Sequence, residues 1–400
     1  MMREISTFSG SADLERALGL LQTTASASAR NVDPMVDLVA SAAFLASAHG
    51  HAAMLSLADS LGLDPGVVPD PIETAGLFAD EMLSARALKL HRGRNVYSAC
   101  KGRLWDRLWL PFRDSLVIDD ATLALTAELV AMRTDAGGAD VQHCVTTLEF
   151  RLVGLGFAVE RIERDGHPPI LLARRASSGL AGQLVMYGHY DVATPNRELW
   201  RTDPWTLTEV DGRLYGVGVG DNKAALAQRL ILLEHIELTP EIIWLIQGEE
   251  EVGSPLAHDV VAGLLQDLAP ELWLDENGYF DLDGTQRMLA RTIADTPNTS
   301  APPDSALWKL IEMMNQESSK FAIASRVECR GLNKSFFAAG CPFNNAIPAG
   351  GRYLAIGVND PTSRIHQPNE SVPMWTFPIH ARQFRAALRW VGERAAEVTR

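Results

Sequence analysis

The sequence contains few cysteines, and none of them forms a recognisable metal or disulfide motif. Only four occur among 400 residues, and they are scattered without CxxC spacing. Because disulfide scaffolds and zinc knuckles need paired, regularly spaced cysteines, the pattern argues against both classes of protein. We interpret the four as reduced thiols, which are typical of a cytoplasmic protein. They are Cys100, Cys144, Cys329 and Cys341.

The chain also lacks a long apolar run. Its first residues, MMREISTFSG, contain no hydrophobic segment of the kind that a secretory signal needs. The most apolar early stretch, 36–58, is interrupted by Asp37, His49 and His51. We therefore expect neither a signal peptide nor a membrane span. A hydrophobic content of 46% over this length is enough to bury a substantial core, so the composition predicts a folded, soluble protein.

Positive charge is scarce, with one local exception. A formal net charge of -14 argues against a general nucleic-acid binder. The stretch from Arg86 to Arg113, however, contains eight basic residues and one acidic residue, Asp106. Trp105 and Trp109 lie among them. Two interpretations stay open for this basic stretch. It is either an ordinary helix face, solvated or docked on the acidic remainder of the chain, or a site for an acidic partner such as a carrier protein or a phosphorylated substrate.

The hydrophobic pattern of the sequence changes near residue 118. Residues 1–117 show helical periodicity and no catalytic pattern, so we treat them as an additional N-terminal helical region of unassigned function. From there to residue 400, short apolar strands alternate with amphipathic helices, which predicts an α/β sheet flanked by helices. Residues 281–325 show no clear period. The predicted strands are 157–162, 170–174, 184–187, 242–246 and 272–274, and the predicted helices include 223–235, 255–268 and 381–398.

Polar residues cluster where the predicted strands end, which is the edge at which α/β sheets bind ligands. The stretch GHYDV places His189 and Asp191 on one face, so the carboxylate can fix the tautomer of the imidazole. Three consecutive glutamates end another buried strand, where like charges repel unless a cation neutralises them. With Asp221, Asp275 and His366, these side chains supply enough nitrogen and oxygen donors for two divalent cations.

Five motifs in this order resemble a known enzyme family. GHYDV, WRTDPW, DGRLYGVGVGDNK, GEEEVGS and IHQPNE are similar to motifs of the co-catalytic zinc amidohydrolases, which include acetylornithine deacetylase, succinyl-diaminopimelate desuccinylase, glutamate carboxypeptidase and Xaa-His dipeptidases. The resemblance covers roughly residues 118–280 and 326–400. It implies a zinc-peptidase-like mixed sheet flanked by helices, and two Zn²⁺ ions, with Co²⁺ or Mn²⁺ as substitutes.

The resemblance also implies roles for individual residues. Asp221 would bridge the two metals, Glu250 would act as the general base, and Asp191 would orient the first histidine. His189 and Asp275 would share one metal, and Glu251 and His366 the other. The complete set of implied metal ligands is His189, Asp221, Glu251, Asp275 and His366.

One part of the family pattern is short in this chain. Family members usually insert a lid or dimerisation domain before the final histidine, whereas only 90 residues separate Asp275 from His366. We therefore predict that the lid is absent or reduced, and that the usual lid-mediated dimer is absent with it. Arg330, Asn333 and Arg352 are candidates to contact the substrate in its place, because an arginine fork suits a carboxylate. Ordinary surface arginines are an equally acceptable interpretation.

These observations lead to one preferred function and two alternatives. The preferred function is hydrolysis of an amide bond in an N-acyl amino acid or short peptide by a metal-bridged water that Glu250 activates. The first alternative is a hydrolase whose substrate is presented by an acidic carrier or partner at the basic stretch from Arg86 to Arg113. The second is a non-catalytic binding protein that contains metal.

Overall fold

The fold was analysed in a computed structural model that describes residues 116–276, 278–280, 286–294, 300–319, 325–328 and 342–398. One compact unit comprises Val117–Glu317 and Ser325–Arg400. The predicted N-terminal helical region and its basic stretch lie outside the described residues. Within those residues, no helix combines the length and the apolar character that a membrane crossing requires.

Helices and short strands alternate along the chain, as predicted. The helices are α1 (Asp120–Ala131), α2 (Val141–Gly154), α3 (Ala224–Glu234), α4 (Pro255–Leu265), α5 (Ser305–Ser319) and α6 (Thr376–Val398). The strands of the first half are β1 (Ala158–Arg164), β2 (His167–Arg175), β3 (Gln183–His189), β4 (Thr208–Val210), β5 (Arg213–Tyr215), β6 (Glu241–Gln247) and β7 (Leu272–Asp275). Those of the second half are β8 (Tyr279–Phe280), β9 (Gln286–Ile293), β10 (Ser300–Ala301), β11 (Ser325–Glu328), β12 (Arg352–Ala355) and β13 (Ser371–Pro373).

Ten of the described strands form one mixed sheet. Its main path runs β1-β2-β6-β3-β7-β12-β9-β10, with β8 and β11 also paired to β9. The central strands β6, β3, β7 and β12 are mutually parallel, whereas β2 runs antiparallel to β6, and β9 runs antiparallel to β12. Parallel strands covered on both faces are apolar throughout, and β6 is buried from Ile242 to Gln247. The predicted mixed sheet flanked by helices is therefore confirmed.

Hydrophobic clusters cover both faces of this sheet. Leu184 and Met186 of β3 point into one cluster, which includes Leu226 of α3 and Phe384 of α6. Val185 and Tyr187 point into the opposite cluster together with Leu256, Val261 and Leu265 of α4. Because successive side chains of a strand alternate between faces, the strand ends are held rigidly between two packed layers.

Local contacts explain where the first two helices begin and end. The side chain of Asp119 accepts a hydrogen bond of 2.8 Å from the backbone N–H of Thr122, which caps the start of α1. At the end of α2, Gly156 adopts a φ of 82°, a left-handed conformation that suits glycine and stops the helix.

The interval 281–325, which has no clear period in the sequence, contains regular structure. Strand β9 and helix α5 lie there, and β9 joins the main sheet beside β12. Two arginines interrupt the apolar pattern of β9, and Arg291 is buried with an exposure of only 2%. A charged residue at a buried position hides the alternation by which a strand is normally recognised. Each described strand between residues 276 and 352 belongs to the main sheet, so the described part of this interval contains no separate lid sheet.

Candidate metal centre

The candidate site lies at the carboxyl edge of the central parallel strands. His189 is the last residue of β3, and Glu250 and Glu251 follow the end of β6. Asp221 lies in the irregular turn before α3, and His366 lies in the connection between β12 and β13. Since β3 pairs with both β6 and β7 in parallel, their ends bring these side chains together. This is the expected ligand-binding edge of an α/β sheet.

Asp221 contacts both histidines. Its Oδ1 atom lies 3.0 Å from Nε2 of His189, and its Oδ2 atom lies 3.3 Å from Nε2 of His366. Each histidine has a second carboxylate of its own. Oε1 of Glu276 lies 3.3 Å from Nε2 of His189, and Oε2 of Glu251 lies 2.8 Å from Nε2 of His366.

These contacts define two sets of potential ligand atoms that share Asp221. We call His189, Asp221 and Glu276 the inner group, and Asp221, Glu251 and His366 the outer group. Within each group the ligand atoms lie within 4.8 Å of one another. The side chain of His189 is fully buried, whereas that of His366 is 51% exposed. Solvent therefore reaches the site from the side of the outer group.

Asp191 fixes the orientation of His189. Its backbone carbonyl oxygen is within hydrogen-bonding distance of Nδ1 of the imidazole at 3.2 Å, and its Oδ1 atom lies equally close, so Nε2 is the nitrogen that faces the inner group. The second oxygen of the same carboxylate accepts a hydrogen bond of 3.0 Å from the backbone N–H of Glu251. Asp191 thus ties the ends of β3 and β6 together and leaves the metal-facing nitrogen of His189 available.

The end of β7 requires a correction, because Glu276 occupies the position that we predicted for Asp275. The carboxylate of Asp275 accepts a 2.8 Å hydrogen bond from the backbone N–H of Glu276 and a 2.5 Å bond from the hydroxyl of Tyr353. Trp273 and Tyr353 belong to the hydrophobic cluster on one face of the sheet, and alternation directs Asp275 to the same face. The following residue turns toward His189 instead.

Other predicted site residues have different outcomes. Glu250 lies beside the cluster, where burial raises the pKa of its carboxyl to about 7; Asp221 and Glu251 add to this effect, and His189 opposes it. Arg352 lies at the opposite end of β12, and its guanidinium is 2.7 Å from Asp304, so it supports the start of α5 and not the site. Arg330 and Asn333 lie outside the described residues.

Sequence reasoning missed one buried carboxylate that supports the site. Glu370 accepts backbone hydrogen bonds from Gly218 at 2.9 Å, Gly220 at 2.8 Å and Asp221 at 3.2 Å. It therefore joins the connection that carries His366 to the turn that carries Asp221. The alternating glycines were the available signal. Gly218 has a φ of 68°, and a Cβ atom at Gly220 would come within 2.7 Å of the Asn359 side chain.

The pKa values of the two histidines and of Glu276 show that the site favours bound positive charge. Burial alone would lower the pKa of His189, but Glu276, Asp191 and Asp221 hold it well above its usual value. Hydrogen bonds to Asp221 and Glu251 raise the pKa of His366 to about 10. Burial raises the pKa of Glu276 to about 8. Protons are thus retained strongly where several carboxylates meet, which is the electrostatic condition that also favours a divalent cation.

The donor chemistry fits two divalent cations. Each group offers one imidazole nitrogen and two carboxylates, a combination typical of zinc and similar metals. Oε2 of Glu276 is buried and has no hydrogen-bond partner in the described part of the protein. Because buried polar atoms are almost always satisfied, this oxygen is available as a ligand atom.

Comparisons with known proteins identify relatives of the chain by sequence and by fold. Two curated relatives match a limited part of the chain. They are succinyl-diaminopimelate desuccinylases of Burkholderia mallei (38% identical over 138 residues, 33% of this chain and 36% of the relative) and Paraburkholderia xenovorans (38% over 137 residues, 32% and 36%). The chain spans about a third of the length of these relatives.

Solved structures show the same fold at low sequence identity. An M20 family metallo-carboxypeptidase of Sulfolobus solfataricus aligns with a TM-score of 0.55 at 13% identity, covering 69% of this chain and 100% of that one. Aminopeptidase PepT of Bacillus cereus aligns with a TM-score of 0.51 at 12% identity, covering 69% and 99%. The sequence model described as "Peptidase family M20/M25/M40" matches residues 185–390, just over half of the chain and all the strand ends of the site. The chain therefore belongs to this peptidase family.

Proposed function

We propose that the protein is a metal-dependent amidohydrolase that cleaves the amide bond of an N-acyl amino acid or a short peptide. The observation that carries this proposal is the position of Asp221 between two histidines, each with its own additional carboxylate. The inner and outer groups would each hold one cation, with Zn²⁺ as the preferred metal and Co²⁺ or Mn²⁺ as substitutes. When bound, the pair of cations lowers the pKa of a water molecule and polarises the scissile carbonyl.

Glu250 is the proposed proton carrier. It follows the buried strand β6, stands beside the cluster and does not belong to either ligand group. In this position its carboxylate can take a proton from the attacking water and deliver the proton to the leaving amine. Asp191 supports this chemistry indirectly, because it holds His189 in one tautomer and fixes the backbone of Glu251.

The half-exposed His366 supports an approach of substrate from the side of the outer group. Contacts with the substrate remain to be supplied from outside the ligand set, since Arg352 is engaged with Asp304. We also propose that the lid domain is absent or reduced and that the protein therefore does not form the usual lid-mediated dimer. Arg330 and Asn333 stay candidates for substrate contacts, and the basic stretch from Arg86 to Arg113 stays a candidate for an acidic partner.

The test combines metal content with turnover of a substrate pool. The full-length protein is purified without added metal, analysed for bound elements, and then incubated with N-acyl amino acids and dipeptides while amine release is followed. The pool includes N-succinyl-diaminopimelate, because two relatives are named desuccinylases of that compound. Two metal equivalents together with amine release are expected. Bound metal without release from any compound would contradict hydrolysis of free substrates and favour a partner-presented substrate or a non-catalytic binding protein.

A further inference from the structure

One buried arginine contacts the strand ends next to two ligands of the inner group. Arg229 lies on α3, eight residues after Asp221, and only 1% of it is exposed to solvent. Burying a guanidinium is costly unless its charge and its N–H groups are matched. Within the described residues, Arg229 forms no hydrogen bond or close ion pair with a carboxylate. All its observed hydrogen bonds instead go to backbone carbonyl groups.

These carbonyl groups belong to three neighbouring strand ends. Nη1 of Arg229 donates to the carbonyl of Tyr187 at 3.2 Å, and Nη2 donates to those of Asp275 at 2.8 Å and Ile356 at 3.3 Å. Tyr187 lies near the end of β3, Asp275 ends β7, and Ile356 follows β12. The strands β3, β7 and β12 are consecutive in the sheet. A single planar group therefore fixes the spacing of three adjacent strand ends.

Two of these strand ends lead into the inner group. His189 comes two residues after Tyr187, and Glu276 comes immediately after Asp275. The outer group has a different support, because Glu251 follows β6 and His366 lies on the connection held by Glu370. Burial lowers the pKa of Arg229 to about 10, and the charges of Glu276 and Asp275 oppose that shift. The positive charge of Arg229 therefore interacts with the carboxylates of Glu276 and Asp275.

We propose that Arg229 is a positioning residue that sets the separation of His189 and Glu276 and so controls the metal affinity of the inner group. The inference rests on the proposed two-metal function. It assigns a role to a residue that is not a proposed metal ligand and forms no hydrogen bond with one. Loss of the guanidinium would release the ends of β3 and β7 from each other. The outer group would keep its geometry, because Tyr187 and Asp275 lie on other elements, and Ile356 lies ten residues before His366 on a connection that Glu370 holds.

Stepwise metal titration separates the two groups. Zn²⁺ is added to metal-free, full-length protein in competition with a chromophoric chelator, and Co²⁺ absorption reports the ligand geometry. Arg229→Lys keeps the charge and loses the planar fork, whereas Arg229→Met loses both. Each change is repeated in a His366→Ala background, which leaves the inner group as the complete one. We expect inner-group affinity to fall about 10- to 100-fold and outer-group affinity to stay unchanged.

The neighbouring residue provides a matched control. Gln228 is buried on the same helix, donates a 2.8 Å hydrogen bond to the carbonyl of Phe377 and lies 2.6 Å from Nδ1 of His380. Gln228→Met removes a buried polar group without touching the three strand ends, so both metal-binding steps should remain as in the wild-type protein. This control separates loss of strand-end geometry from general destabilisation of α3.

The outcomes are distinct. The positioning role would be overturned if both Arg229 variants bound zinc with wild-type affinity at both groups. It would also be overturned if the affinities of the inner and outer groups fell equally. Failure of every Arg229 variant to fold in saturating Zn²⁺ would also overturn it, because Arg229 would then serve the whole fold. A wild-type protein that binds no Zn²⁺ would contradict the proposed function itself, whereas two normal wild-type steps would leave that function intact whatever the Arg229 variants do.

Discussion

At the scale of single residues, the site depends on which carboxylates face the two histidines. Asp221 faces both, whereas Glu276 and Glu251 each face one. Glu250 stands outside both ligand groups, and burial raises its pKa to about 7. Metal binding and proton transfer are thus assigned to different side chains, which allows each role to be removed separately.

The first prediction concerns Glu250. Glu250→Gln should retain two metal equivalents and lose turnover by about 10²- to 10⁴-fold, because the amide cannot accept the proton while the ligand atoms stay in place. Elemental analysis and amine release on the same preparation measure both quantities. Turnover equal to that of the wild-type protein would contradict the role of Glu250 as proton carrier.

A pair of substitutions tests the assignment at the end of β7. Glu276→Gln should weaken inner-group zinc binding by at least about tenfold, since it replaces a ligand carboxylate that is close to His189. Asp275→Asn is the matched control, because its carboxylate is occupied by Tyr353 and by the backbone of Glu276. Zinc competition titration measures both affinities. A larger loss in Asp275→Asn than in Glu276→Gln would restore the assignment made from sequence.

This pair also marks where prediction from sequence stopped. Asp191, Asp221, Glu251 and His366 were singled out from motifs. The structure places Asp191 and Asp221 next to His189, and Glu251 and Asp221 next to His366. The sequence DEN offers two adjacent carboxylates at one strand end, and alternation decides between them only when the face of each residue is known. Arg229 and Glu370 were missed for a related reason. Their partners are backbone groups distant in sequence. The partners of Arg229 leave no spacing pattern, and those of Glu370 leave only the alternating glycines.

At the scale of elements, the connection that carries His366 is held by contacts outside the cluster. Arg213 of β5 forms a two-point ion pair with Asp360, at 2.7 and 3.0 Å. Asp360 is buried, and its carboxylate also accepts hydrogen bonds from Thr362. Burial alone would raise the pKa of Asp360, but Arg213 outweighs it and holds the pKa below its usual value.

The third prediction follows from this ion pair. Because the folded-state pKa of Asp360 is depressed, its stabilising effect is present above the unfolded-state pKa of about 3.9 and is lost as the pH falls through the lower folded-state value. Asp360→Asn should therefore reduce the free energy of unfolding at pH 7 by about 2 kcal/mol. The difference in unfolding free energy between the variant and the wild-type protein should become smaller in acid. Urea unfolding at pH 7 and below pH 4 measures this difference.

An exposed ion pair serves as the control for that experiment. Lys309 and Glu397 lie 3.6 Å apart with side chains 63% and 55% exposed, and Glu397 also lies 3.7 Å from Arg394 on the same helix. Glu397→Gln should change stability by less than about 0.5 kcal/mol at either pH, since water screens such pairs. Equal effects of the two substitutions at pH 7 would show that the Arg213 pair contributes no more than a surface contact.

Element prediction succeeded where periodicity was clean. The five predicted strands correspond to β1, β2, β3, β6 and β7, and their ends fall within a few residues of the observed bounds. The remaining strands and helix α5 were not predicted. In β9, arginines interrupt the apolar pattern. The pairing order of the sheet was not predictable from local patterns, because it depends on contacts between segments far apart in the chain.

At the scale of the whole molecule, the site concentrates negative charge in a chain whose net charge is already -14. Removing bound metal should leave only the retained protons to offset the negative charge of the carboxylates in both groups. We therefore expect zinc to stabilise the folded protein, by about 2.7 kcal/mol when free zinc is 100 times its dissociation constant. Calorimetric melting with and without a chelator measures this shift.

The control for the melting experiment is a chain without functional ligand groups. In the double variant Glu276→Gln with His366→Ala, each group has lost one ligand, so zinc should leave the melting temperature nearly unchanged. A wild-type melting temperature that does not depend on zinc would contradict the metal centre. A zinc effect of equal size in the double variant would place the stabilising ion elsewhere in the chain.

The contact between Glu370 and the turn of Asp221 has a consequence for biosynthesis. The backbone groups that hold this carboxylate belong to residues made about 150 positions earlier. Until the ribosome has made the segment that carries His366 and Glu370, the turn lacks its anchor and the outer group lacks its histidine. A nascent chain therefore exposes an unfinished acidic edge during the synthesis of these 150 residues. Metal uptake would then follow the synthesis of this segment, and chains that stop before it would compete poorly for the ion.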